Sequence, residues 1–128
     1  MNLTLSVLPD TLAICRLGPD DPIPDWPVAG GFLSITRTGD ELSIVCAEAA
    51  VPGHVKSDRG WRCLKVEGPL DLSLTGVLAS LLSPLAEARI GVFAVSTFDT
   101  DYLLVKAEYL ARATDVLIRS GHQVNHLS

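Results

Sequence analysis

The sequence predicts an α+β chain of two βαββαβ units in tandem, the first stripped of its helices. Two observations carry this. One is the stretch Glu67 to Asp101, where a strand ends, turns through Gly68-Pro69, enters an amphipathic helix and returns as an apolar strand. Within it Leu74, Val77, Leu78, Leu81, Leu82 and Leu85 fall at helical spacing and form one apolar stripe. The other is an internal repeat. At an offset of sixty, Leu33-Ser34-Ile35-Thr36 falls on Phe93-Ala94-Val95-Ser96, and Ile44-Val45-Cys46-Ala47-Glu48 falls on Leu104-Val105-Lys106-Ala107-Glu108. At an offset of fifty, Thr11 to Pro19 falls on Trp61 to Pro69, with Gly-Pro matching Gly-Pro. The difference lies where the second half has a long helix and the first half has a proline-rich loop. Residues 1–60 therefore form the degenerate unit and residues 61–128 the complete one. A single α+β domain with two chance-similar hairpins is the competing reading.

The elements follow in order. Leu3 to Leu8 and Thr11 to Leu17 read as short strands separated by a Pro9-Asp10 turn. Gly18 to Pro27 holds four prolines, so no regular helix runs through it; Trp26 is its apolar plug. Phe32 to Arg37 and Leu42 to Cys46 form a hairpin around Thr38-Gly39-Asp40-Glu41. Ala47 to Ala50 starts a short helix that Pro52-Gly53 stops, and Val55 to Gly60 is a polar connector. Trp61 to Val66 is a strand. The main helix spans Ser73 to Ala88, capped by the Ser73 hydroxyl, with a bend expected near Pro84 because that residue has no N–H. Ile90 to Ser96 and Tyr102 to Lys106 are strands around the Phe98 to Asp101 turn. Ala107 to Ser120 is a second helix with Leu110, Ala113, Thr114 and Leu117 inward. Gly121 ends it, and His122 to Val124 adds an edge strand.

Composition narrows the function. The chain has 128 residues, is 48% apolar and carries a net charge of −5. It has no Lys/Arg cluster, so nucleic acid is excluded as a partner. The N-terminus has no basic region ahead of its apolar residues and does not read as a signal peptide. No apolar run reaches the roughly 18 residues of a membrane span, so no membrane role is expected. Cys15, Cys46 and Cys63 are odd in number and widely spaced. They read as buried free thiols of a cytoplasmic protein.

The strand end Ser96 to Asp99 and the helix start near Gly76 make a small site for a polar, partly anionic ligand. Gly76, without a side chain, allows close approach to the first turn. Asp99 and Asp101 have three open roles: a paired acid/base set, a ligand contact, or turn residues bonding nearby amides. Ser96 and Thr97 either bond a ligand or cap the strand end. His122 and His126 are four apart, a metal spacing only on a helix, and Gly121 just before them argues against one. No metal or other cofactor is expected. Trp26 and Trp61 read as packing residues. No nucleophile elbow, Cys–His pair or phosphate loop is present, so the chain does not read as an enzyme.

The second half resembles the ACT domain, of the aspartate-kinase-like type that occurs in tandem in the arginine-sensing CASTOR proteins. The likeness is carried by Glu67-Gly68-Pro69-Leu70, by Leu74-Thr75-Gly76-Val77-Leu78-Ala79-Ser80 and by Leu85-Ala86-Glu87-Ala88-Arg89-Ile90. It continues in Gly91 to Thr97 and in Asp99-Thr100-Asp101-Tyr102-Leu103-Leu104-Val105, the most specific block. It covers Trp61 to Val124, and Leu3 to Ala50 more weakly. The resemblance implies a ferredoxin-like βαββαβ ACT fold and a non-catalytic regulatory protein. It implies a small amino acid held at the junction between ACT units. The ligand carboxylate would meet amides of Leu74, Thr75, Gly76 and Val77; its polar groups would meet Ser96, Thr97, Phe98 and Asp99. Asp99 would take the ammonium or a basic side chain. A homodimer is expected, because the strands of the second half are apolar on both faces and need cover on both. The alternative is a ligand-free interaction module that dimerises or docks on an enzyme of amino-acid biosynthesis such as an aspartate kinase.

Overall fold

The first regular element is one continuous strand, β1 (Thr4–Leu17), where the sequence predicts two strands and a turn. Pro9 and Asp10 are exposed within it. A proline is tolerated in a strand where its missing N–H has no partner to serve. The computed structural model describes residues 1–27, 31–71 and 73–126. Its residues divide into two units: Met1–Pro9 with Arg62–Ser128, and Asp10–Trp61. The sequence places the division near residue 60 alone; Met1–Pro9 instead groups with the second half.

In the unit Asp10–Trp61, the later residues of β1 pair antiparallel with β3 (Leu42–Ala47), from Leu12 opposite Ala47 to Leu17 opposite Leu42. Strand β2 (Ser34–Arg37) completes the expected hairpin, with Arg37 opposite Leu42 and the Thr38 N–H donating to the Glu41 carbonyl at 2.9 Å. A single 3-10 turn, Glu48–Ala50, stands where a short helix was predicted. Ala13, Cys15, Leu42, Ile44, Cys46 and Val51 form the core, and Trp26 packs against it as the expected plug. Strand β4 (Ser57–Val66) starts at Ser57 rather than Trp61. Its polar first residues are tied by backbone and carboxylate bonds, Gly60 N–H to Glu48 Oε1 at 2.8 Å among them, so hydrophobic periodicity does not reveal them.

In the other unit the order from Arg62 onward is strand, helix, two strands, helix, strand. After β4 come α1 (Val77–Glu87), β5 (Phe93–Ser96), β6 (Asp101–Lys106), α2 (Leu110–Arg119) and β7 (Gln123–His126). This is the predicted βαββαβ order. The strand order in space is β7-β1-β4-β6-β5. The chain's own N-terminus thus lies beside its last strand, Thr4 to Val7 running parallel to Gln123 to His126. Strands β5 and β6 pair antiparallel, Phe93 opposite Leu104 and Ser96 opposite Asp101. Leu5, Val7, Leu64, Val66, Leu103 and Val105 of the strands meet Leu81, Leu85, Ala113 and Leu117 of the helices. Each fully buried leucine here stabilises the unit by roughly 1.5–3 kcal/mol relative to exposure. Leu81 and Leu85 come from the predicted stripe, and Ala113 and Leu117 from the predicted inward face of α2. The strand predicted over Ile90 to Ser96 is shorter, since it starts at Phe93. No helix among the described residues is long and apolar enough to cross a membrane.

Candidate functional site

The first wall of the site is the start of α1. The predicted cap does not form: Ser73 donates both its backbone N–H and its hydroxyl to Asp71 Oδ1, at 2.9 and 2.8 Å. The helix starts later, at Val77, behind Gly76 in the left-handed conformation with φ of 79°. Asp71 draws the serine into an Asx turn, which competes with capping. Those two donors, the backbone N–H foremost, hold the exposed Asp71 carboxyl below its ordinary value. Gly76 is needed for its backbone angle, since a Cβ placed there would meet nothing within 4 Å. No side chain caps α1 and no acidic residue sits in its first turn. Its first N–H groups have no partner within the helix, and the positive end of its dipole lies at this wall.

The second wall is the turn between β5 and β6. The Thr97 N–H donates to the Thr100 carbonyl at 2.8 Å, and the Thr97 hydroxyl donates to the same oxygen at 3.1 Å. Thr100 is buried and its hydroxyl donates to the Val66 carbonyl at 2.6 Å, pinning the turn to the end of β4. The Leu70 N–H donates to the Asp99 carbonyl at 2.6 Å. Gly68 lies under this turn; a Cβ there would approach the Asp99 carbonyl oxygen to 3.1 Å. Ser96 donates its hydroxyl to Asp101 Oδ1 at 2.6 Å.

Between the walls is a cleft of about 380 Å³. That lies within the range of small-molecule sites, about 300–1,000 Å³. Leu74, Gly76 and Val77 line one side and Ser96, Thr97, Phe98 and Asp99 the other. Of the residues predicted for the site, Thr75 alone is not in the lining. The sequence reading missed Leu70, Asp71, Leu78, Ala79 and Thr100, and left Asp101 undecided. The Asp-x-Ser spacing of Asp71 and Ser73 is an Asx-turn signal that could have placed Asp71 there. Asp71, Asp99 and Asp101 make the described lining acidic, and none of it is cationic. Phe98 stands at the rim, 80% exposed, with Leu74 50% exposed.

The other candidates have structural partners. His122 is buried and both ring nitrogens are engaged, by the Leu3 N–H and the Ser80 carbonyl. It has no lone pair left for a metal. Among the described residues no group of three or more His, Cys, Asp or Glu side chains could hold one. The three cysteines are free and buried. In the unit Asp10–Trp61 a second cleft of about 510 Å³ includes Arg16, Lys56 and Arg59. Arg16 donates there to the Asp40 carbonyl, and Arg59 to the carbonyls of Glu48, Val51 and Pro52. Trp61 donates its indole N–H to Asp58 at 3.1 Å, away from the first cleft.

Comparison with known proteins gives a consistent picture. The family model of the ACT domain matches residues 56–119, and a model of an N-terminal domain matches residues 10–54. A crystal structure of a protein from Agobacterium tumefaciens is 43% identical, with a TM-score of 0.95, and covers 100% of this chain and 96% of that one. The ligand-free regulatory subunit of aspartate kinase from Thermus thermophilus superposes with a TM-score of 0.64 at 14% identity, over 91% of this chain and 95% of the other. That similarity is one of fold. The human protein CASTOR3P is 29% identical over 67% of this chain and 61% of its own length. The human cytosolic arginine sensor for mTORC1, subunit 1, is 35% identical over 46% of this chain. The match spans only 18% of that sensor's length.

Proposed function

The chain belongs to the ACT domain family, and from that premise we propose that it is a non-catalytic regulatory protein whose cleft between α1 and the β5–β6 turn binds a small amino acid. The observation that carries this is the pairing of an uncapped helix start with an acidic opposite wall. A ligand carboxylate on the first N–H groups of α1 gains roughly 0.3–2 kcal/mol from the helix terminus. The amino group then faces Ser96, Thr97 and Asp99. Asp71 and Asp101 add negative charge without a cation to balance it, which favours an amino acid with a basic side chain. One relative is by name an arginine sensor, in keeping with that preference. Its name also calls it cytosolic, and we place this chain in the cytoplasm.

A second reading rests on the exposed Phe98 and Leu74 at the rim. They suit contact with another protein, either a second copy in a homodimer or an enzyme of amino-acid biosynthesis. A thermal-shift screen across the amino acids separates the two. A ligand at about 100 times its dissociation constant adds roughly 2.7 kcal/mol, which is on the order of 10 °C in midpoint for a domain of this size. Arginine or lysine is expected to give the shift and Asp99→Asn to remove it. A flat screen would leave the interaction module standing and reject the sensor.

A further inference from the structure

We infer that His122 is a positioning residue for the first turn of α1, doing for Ser80 what Pro84 cannot. In an α-helix the carbonyl of residue 80 accepts from the N–H of residue 84. Residue 84 is proline, inside α1, and has no N–H. The carbonyl would be orphaned within a packed unit. Instead it accepts from His122 Nε2 at 3.2 Å. The other ring nitrogen, Nδ1, accepts from the Leu3 N–H at 3.1 Å. A carbonyl can only accept and an amide N–H can only donate. The two partners therefore fix one neutral tautomer, with the proton on Nε2. His122 is 5% exposed.

Ser80 is also the residue that closes the helix start. Its N–H donates to the Gly76 carbonyl at 2.9 Å and its hydroxyl to the Val77 carbonyl at 2.8 Å. Both of those residues line the cleft. The bonds thus run from the cleft wall through Ser80 to His122. They continue to Leu3, whose carbonyl accepts from the Gln123 N–H at 2.9 Å, and to the end of α2, where the His122 N–H donates to the Leu117 carbonyl at 3.1 Å. The buried imidazole itself ties the cleft wall to Leu3, just ahead of β1, and backbone bonds of Leu3 and His122 carry the connection on to β7 and α2. Its role in ligand binding rests on the function proposed above; its role in holding the helix start does not.

Hydrogen exchange by NMR tests this with His122→Phe, Pro84→Ala and the double variant. One hydrogen bond lost corresponds to about three- to tenfold faster exchange. His122→Phe is expected to speed exchange by that factor at Leu3, whose N–H loses its acceptor, and at Ser80, whose N–H bond to the Gly76 carbonyl loosens once the helix start loses its anchor, in both cases beyond any change at Leu103 and Val105. Pro84→Ala returns an N–H to the Ser80 carbonyl, so in the double variant that new residue-84 amide should itself be protected, the re-anchored Ser80 amide should regain its protection, and Leu3 should not. Equal loss at Ser80 in the single and double variants would overturn the inference. If His122→Phe does not fold, the tautomer of the unaltered protein decides. Imidazole nitrogen shifts must show the Nε2–H form, and an Nδ1–H form would refute it. Titration with L-arginine forms a separate arm: a weakened affinity in His122→Phe, restored in the double variant, links the anchor to the site. Should L-arginine fail to bind the unaltered protein, the proposed function falls while the exchange result still stands.

Discussion

At the scale of single residues, Gly76 shows how backbone conformation and site geometry meet. Its φ of 79° is costly for any residue with a Cβ, roughly 1–2 kcal/mol. The space beside it is open. Gly76→Leu is therefore expected to fold with stability lowered by about that amount, as read by urea denaturation. Its side chain would occupy the mouth of the cleft, so calorimetry should find no amino-acid binding; unchanged binding would move the site elsewhere. The cysteines give a pH signature. Burial pushes the Cys63 thiol up to about 12. Burial and the neighbouring Cys46 push Cys15 up to about 11. Both lie above the ordinary 9.0, so between that value and 11–12 the unfolded chain has lost protons the folded one keeps. Stability is accordingly full below pH 9 and falls as pH rises toward those values. All three thiols should resist a thiol reagent in the native protein at neutral pH and react after denaturation without reduction. A native adduct, or a disulfide found by mass spectrometry, would contradict this.

At the scale of elements, α1 separates what was legible from what was not. Its apolar stripe was readable, because Leu81 and Leu85 repeat at helical spacing and both are fully buried. Its start was not. Ser73 has the chemistry of a cap, but Asp71 two residues earlier captures its donors, and the glycine at 76 begins the helix instead. Ser73→Ala should therefore change stability by no more than about 0.5 kcal/mol, as for an exposed residue away from a cap. A loss near 1 kcal/mol or more would indicate the capping role first read from the sequence. The pairing of β1 with β7 was invisible for a different reason. It joins Thr4–Val7 to Gln123–His126, and four residues on each side are too few for a periodicity that names a distant partner. The cleft was legible in outline, through Gly76, Val77 and Ser96 to Asp99. Asp71 was missed although its Asp-x-Ser spacing carries an Asx-turn signal, and Thr100 because its role depends on a bond to Val66 that only the folded chain assembles.

At the scale of the whole molecule, the proposal is a sensor that pairs with a copy of itself. The rim residues Phe98 and Leu74 are large, apolar and exposed. Sedimentation equilibrium at micromolar concentration is expected to return a mass near twice the 13.7 kDa of one chain. A mass of one chain, with and without amino acids, would discard the homodimer and leave the cleft as a site completed by one copy. The most direct test of the central claim is amide chemical-shift mapping on addition of L-arginine or L-lysine. The account predicts saturable shifts at Gly76, Val77, Leu78 and Ala79 and at Ser96 to Asp101, absent in Asp99→Asn. Shifts confined to Asp10–Trp61, or none with any amino acid, would contradict it.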